Sequence, residues 1–136
     1  MRFLDTNVIV RYLAKDDEAK AAACFLLFQR VEQGTEELTT CEAVITEVVY
    51  VLSSRQLYGL GHQEIRARLT PLLTLKGLRL PQKRLYLRAL DLYAAHSSLD
   101  FEDALCVAHM EDQGVNELYS YDRDFDRIAA VRRIEP

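Results

Sequence analysis

Apolar residues in this chain recur at two alternating spacings, and the alternation predicts its elements. Arg2-Phe3-Leu4 is a short apolar run ending in Asp5-Thr6-Asn7, residues that favour caps and turns, so a strand feeding a helix is expected. Val8, Ile9, Tyr12 and Leu13 then follow at helical spacing. Asp16 is placed to cap a second helix carrying Ala19, Ala22, Ala23, Leu26, Leu27 and Val31, with Gly34 as its stop. Glu37-Leu38-Thr39-Thr40 reads as a strand. The segment from Glu42 to Ser54 has the Val and Ile content of a strand, but its length and its Val44, Val48, Leu52 spacing predict a helix. A helix from His62 is expected to bend or break at Pro71, whose ring clashes with the preceding turn. Leu78-Arg79-Leu80 is a strand between Gly77 and Pro81, and helices follow over Lys83–Ala95 and from Asp100 to Gly114. Leu118 to Tyr121 and Val131 to Ile134 are the last strands, separated by a helical turn near Phe125.

Strands alternating with helices, with no linker or repeat, predict one α/β domain over residues 1–136. Its core is a parallel sheet with helices on both faces. The 136 residues are 49% hydrophobic, which excludes a disordered chain or a disulfide-stapled mini-protein. The longest uncharged stretch, Ala21 to Gln29, falls far short of the ~20 apolar residues of a membrane span, and Met1 to Asp5 offers no apolar core, so no secretory leader is expected. Cys24, Cys41 and Cys106 show no Cys-x-x-Cys spacing and read as packed, reduced thiols of a cytoplasmic protein.

The net charge of −4 argues against a nucleic-acid partner, but its distribution does not. From Ile65 to Leu90 there is no acidic residue, and Arg66, Arg68, Lys76, Arg79, Lys83, Arg84 and Arg88 give +7, leaving −11 for the rest. A basic face and an acidic centre can therefore coexist, although a solvated helix face explains the basic run equally well.

Four carboxylates supply the acidic centre. Ligands of an open parallel sheet bind beyond the carboxyl ends of its strands, where Asp5 and Asp122 are predicted to lie. Asp103 belongs to a helix that is apolar almost all round and shares a side with Val107 and Met110, which partly desolvates it. Glu47 borders the stripe of Val44, Val48, Val51 and Leu52. Each has an ordinary explanation alone: a cap for Asp5, the helix dipole for Asp103, a rim position for Glu47 and a turn for Asp122. Gathered at one end of the sheet they repel, because two like charges about 4 Å apart cost about 4 kcal/mol at an effective dielectric of about 20. Protonation or a hard cation must relieve this, and all-oxygen donors select Mg²⁺ or Mn²⁺ over Zn²⁺. His62, His96 and His109 have no mutual metal-ligand spacing.

The ordered set Asp5-Thr6-Asn7, Glu47, Leu99-Asp100-Phe101-Glu102-Asp103-Ala104-Leu105 and Ser120-Tyr121-Asp122-Arg123-Asp124-Phe125 resembles the PIN domain. Its spacing is similar to that of the VapC-type toxins of toxin–antitoxin pairs, over essentially the whole chain. The resemblance implies a five-stranded parallel sheet sandwiched by helices and a metal-dependent endoribonuclease. It maps the acidic set around Mg²⁺ or Mn²⁺ onto Asp5, Glu47, Asp103 and Asp122, with Asp124 as a stand-in for Asp122. Asp100 becomes a helix cap, and Thr6, Asn7 and Ser120 become small polar supports, Ser120 standing where many relatives have Thr. Arg11 and Lys15, downstream of Asp5 on the first helix, are candidates to hold phosphates. The implied partners are an RNA substrate, a second copy of the chain, and a cognate antitoxin whose C-terminal segment covers the acidic pocket. Aromatic residues fall mostly at core spacing, so no base-stacking platform is expected. Two other readings compete: a PIN-like module that binds RNA or protein without cutting, and an aspartyl phosphotransferase with Asp5 as nucleophile. The latter is disfavoured because Asn7 stands where its signature requires a second Asp.

Overall fold

Leu38 and Leu78 lie side by side in neighbouring strands, with Leu4 at the exit of a third, and all three are buried. In the computed structural model, which describes residues 1–136, β1 (Arg2–Phe3), β2 (Leu38–Thr39) and β3 (Leu78–Arg79) form a parallel sheet in that order. Parallel neighbours need long crossovers, and here each crossover is a helix pair. α1 (Thr6–Ala14) and α2 (Glu18–Gln33) join β1 to β2, and α3 (Glu42–Ser53) and α4 (His62–Leu73) join β2 to β3. α1 packs against α2 and α3, and α3 against α4. The Val-rich α3 is helical because Val44, Ile45, Val48, Val49 and Leu52 are buried at intervals of three and four, while Glu47 and Tyr50 between them are exposed. Each fully buried Leu or Ile of this core contributes about 1.5–3 kcal/mol.

These elements make up a first compact unit, Met1–Lys83; the second is Arg84–Pro136. The second holds nearly all of α5 (Lys83–Ala95), α6 (Phe101–Gln113), β4 (Glu117–Tyr119), a 3₁₀ turn at Arg123–Arg127, and β5 (Arg132–Ile134). β4 and β5 pair in parallel, with Leu118 opposite Arg133. Tyr93 of α5 meets Phe101 of α6 edge to face, with ring centres 5.9 Å apart.

The α/β class and the parallel pairing are as expected, and five strands form. Their ladders are only two or three residues long, and hydrogen bonding groups them as three and two rather than as one continuous ladder. Three local expectations change. α2 is capped by Asp17, whose side chain accepts the Lys20 N–H at 3.0 Å, because Asp16 is engaged elsewhere. Its buried stripe runs through Phe28 and Val31, while Ala19, Ala22, Ala23 and Leu26 are exposed. The helix carries two apolar stripes, and the one whose Phe28 ring stacks 4.6 Å from Tyr12 of α1 faces inward. α4 continues through Pro71, which falls in its last turn and so removes little, and Thr74 Oγ donates to the Thr70 and Pro71 carbonyls at the helix end. The thiols are also less packed than expected: Cys41 and Cys106 are exposed and Cys24 is half-buried, with no disulfide among them.

The exit of β1 is fixed by two bonds. The Leu4 N–H donates to the Thr39 carbonyl at 2.8 Å, and the buried Thr40 hydroxyl donates to the Leu4 carbonyl at 2.8 Å. Asp5 therefore leaves the sheet from an anchored point. At the other end, Gly77 donates to the Val31 carbonyl at 2.9 Å, and any Cβ there would collide with the Glu36 and Val31 carbonyl oxygens. Gly77→Ala is thus expected to lower stability by about 1–3 kcal/mol, the usual range for forced overpacking. Urea denaturation measures this, and an unchanged midpoint would contradict the close approach.

Candidate active site

The first helix begins without help from the residue best placed to cap it. Asp5 occupies the N-cap position of α1 with extended backbone angles (φ −96°, ψ 162°), yet its carboxylate makes no capping bond and is exposed. Thr6 follows and is buried, and its hydroxyl donates to Glu47 Oε2 at 2.8 Å, linking the start of α1 to the middle of α3. Asp5, Thr6, Asn7 and Glu47 line one cavity of about 370 Å³, together with Arg11, Leu57 and Tyr58. Arg11 is the only cation among its walls. Arg11 Nη1 donates to both oxygens of Asp16 at 3.0 Å, and the Tyr58 hydroxyl donates to the same carboxylate at 2.6 Å. The Tyr58 hydroxyl and then Arg11 hold the Asp16 carboxyl below its ordinary range, and the Arg11 guanidinium is raised by Asp16 in return.

Lys15 is separated from this cavity. It ends α1 in the left-handed region (φ 56°) and lines a different concavity of about 950 Å³ with Arg68, Lys76 and Glu32. The two candidate phosphate holders thus serve different surfaces. At least three of the seven cations of the basic run are answered by acids: Arg68 pairs with Glu64, Arg79 with Glu37 and Arg88 with Glu111. Lys83 donates to the Leu78 carbonyl, and burial pushes its ammonium down.

In the second unit, Asp100 caps α6 by accepting the Asp103 N–H at 2.8 Å. Asp103 is half-buried in the first turn of a helix whose Phe101, Ala104 and Val107 are buried. Burial pushes its carboxyl up to about 6, reinforced by the Asp100 charge, a hydrogen bond with the Asp100 side chain, and the Asp122 charge. Asp100 is therefore a neighbouring carboxylate as well as a cap. Asp122 is exposed; its Oδ1 accepts the Asp124 N–H at 2.9 Å, and its own N–H donates to Ser120 Oγ at 3.0 Å. Ser120 and Asp124 hold the turn in which Asp122 sits.

Sequence reasoning missed Arg133. Its side chain is 12% exposed, and it donates to the Ser120 carbonyl at 2.9 Å while pairing with Asp126 and Glu135. Only a charged residue at an inward strand position could have signalled it. The aromatic expectation also fails beside Asp122, where Tyr119 and Tyr121 are 72% and 71% exposed. Tyr119 closes β4 next to the half-buried Leu118, and Tyr121 follows in the bend beyond the strand.

Within neither unit do three His, Cys, Asp or Glu side chains already stand at cation-ligand geometry. The donor chemistry nevertheless fits a hard divalent ion. The groups are carboxylates with hydroxyl and amide neighbours, and a desolvated Asp103 crowded by two further aspartates gains from a positive charge. A family model described as PIN domain matches residues 2–131. No curated protein matches the chain.

The Asp103 shift sets a pH signature for metal-free protein. Its carboxyl holds a proton more tightly when folded (about 6) than its ordinary 3.8, so the stabilising contribution is complete below 3.8 and is lost as pH rises through about 6. In EDTA, Asp103→Asn should melt above wild type near pH 7, and the two curves should converge below about pH 4. A constant offset across that window would contradict the assignment.

Proposed function

The chain belongs to the PIN-domain family of nuclease-type, generally metal-dependent domains, and on that premise we propose that it is an endoribonuclease of the VapC-type toxin class. The observation that most supports this reading is the Asp5 carboxylate. It stands at a helix N-terminus without capping it and shares a cavity with Glu47.

In this reading Asp5, Glu47, Asp103 and Asp122 are all required for one hydrolytic reaction. Asp5 and Asp103 would hold Mg²⁺ or Mn²⁺ most directly, and Glu47 and Asp122 would complete the set, with Asp124 as the alternative to Asp122. The ion supplies charge neutralisation for the scissile phosphate and acidifies water for attack. Thr6 keeps Glu47 in one orientation through its 2.8 Å bond, so the carboxylate does not have to be ordered at the moment of reaction. Ser120 does the same for the Asp122 turn, and Arg133 secures Ser120 from the other side. Asn7 adds an amide to the wall beside Asp5. Arg11 is the group best placed to hold a substrate phosphate near Asp5, and Lys15 would meet the strand on the neighbouring surface.

The partners proposed are RNA, a second copy of the chain, and an antitoxin whose Arg or Lys would pair with the carboxylates. No helix is long and apolar enough to cross a membrane.

The reading is tested by incubating bulk RNA with the purified chain, with and without Mn²⁺. Cleavage should require the ion and fall at least about a hundredfold in Asp5→Asn, the scale of losing one preorganised electrostatic group. Millimolar Mn²⁺ should also raise the wild-type melting temperature, because a ligand of the folded state stabilises it. RNA binding without cleavage in any divalent ion would identify a non-catalytic module instead.

A further inference from the structure

Asp16 lies exposed in the connection between α1 and α2 and caps neither helix, yet it gathers two other segments of the chain. Arg11 reaches it from the last turn of α1, and Tyr58 reaches it from the loop between α3 and α4. Exposed ion pairs of this kind contribute little to stability, so holding the fold together is a weak explanation for the arrangement.

Tyr58 is itself held in place. The Leu57 and Gly59 N–H groups donate to the Ser54 carbonyl at 3.0 and 2.9 Å, and the Leu60 N–H donates to the Leu52 carbonyl at 2.8 Å. Gly59, at φ +59°, supplies the left-handed turn that lets the loop fold back onto the end of α3. A fixed phenol thus fixes a carboxylate, and the carboxylate fixes a guanidinium. Arg11 Nη1 is occupied by Asp16, which leaves Nε and Nη2 to another acceptor. Without that restraint, a flexible Arg in a cavity with Asp5 and Glu47 would pair with those carboxylates and block them. Phosphate oxygens of RNA are the acceptors a planar guanidinium fork matches best.

We propose that Asp16 and Tyr58 are positioning residues that hold Arg11 off the Asp5–Glu47 pair as a preset clamp for an RNA phosphate. This rests on the endoribonuclease reading above and adds how the substrate is gripped.

The test is steady-state cleavage of a fluorescein-labelled single-stranded RNA 20-mer of mixed sequence in Mn²⁺, with melting curves alongside. Asp16→Asn and Tyr58→Phe should each raise KM by about three- to tenfold, the scale of a weakened charge-assisted hydrogen bond, with kcat and the melting temperature nearly unchanged. Arg11→Ala should raise KM at least as much and flatten its salt dependence by about 0.7 in log–log slope, as for one lost phosphate contact on a single strand. In the Arg11→Ala background, adding Asp16→Asn should change KM no further.

An unchanged KM in Asp16→Asn, or the same KM penalty with and without Arg11, would overturn the proposal. So would a fall in melting temperature with no KM effect, which marks a purely structural tie. If the wild type cleaves no RNA in any divalent ion, the endoribonuclease reading fails first and carries this one with it. Cleavage by a wild type whose Asp16→Asn variant behaves identically removes this inference alone.

Discussion

Negative charge held close to negative charge is the constraint on which the rest of this structure turns. In the second unit Asp103 sits partly buried beside Asp100 and Asp122, and its carboxyl keeps a proton to about pH 6. Such an arrangement lowers the stability of the neutral-pH fold, and a compact chain does not acquire it by packing alone. The neighbouring residues read as answers to it. Asp100 is tied to the Asp103 N–H, Asp122 to the Asp124 N–H, and Arg133 fastens the segment that leads into Asp122. In the first unit the same kind of chemistry is handled by a neutral donor, Thr6 to Glu47, which orients a carboxylate without cancelling its charge.

Much of this was legible in the sequence, because periodicity decides element type when it is strong. α3 shows this well: its Val and Ile favour a strand, but burial at intervals of three and four forces a helix. Asp5, Glu47, Asp103 and Asp122 stand out in the sequence for a related reason, since each follows an apolar run or interrupts an apolar face. The structure sets Asp5 with Glu47 on one cavity and the Asp122 charge near Asp103. What escaped depended on competition among partners. Asp16 reads as the cap of α2, but Arg11 and Tyr58 engage its carboxylate and Asp17 caps the helix instead. α2 offers two apolar stripes, and one aromatic contact with Tyr12 chooses between them. Pro71 is a helix breaker by chemistry, but its position within the last turn decides how much it breaks. Tyr58 carries no local signal, because its partner Asp16 lies many residues away along the chain.

Charge illustrates the same lesson at larger scale. The basic run from Ile65 to Leu90 looks like an open cationic face when read along the chain. Folding brings Glu37, Glu64 and Glu111 to Arg79, Arg68 and Arg88, and the excess shrinks to a few positions. Lys15, Lys76 and Arg68 then share one concave surface, while Arg11 alone attends Asp5 and Glu47. Net charge along a segment therefore overstates the reach of its cations.

The cysteines have a practical consequence. Each compact unit carries one surface thiol, Cys41 in the first and Cys106 in the second, while burial pushes the half-buried Cys24 thiol up and slows its reaction. Maleimide probes would therefore attach to the native chain at two chemically favoured positions, one in each half. Spin labels or fluorophores placed there would report on each half separately, without a single engineered residue.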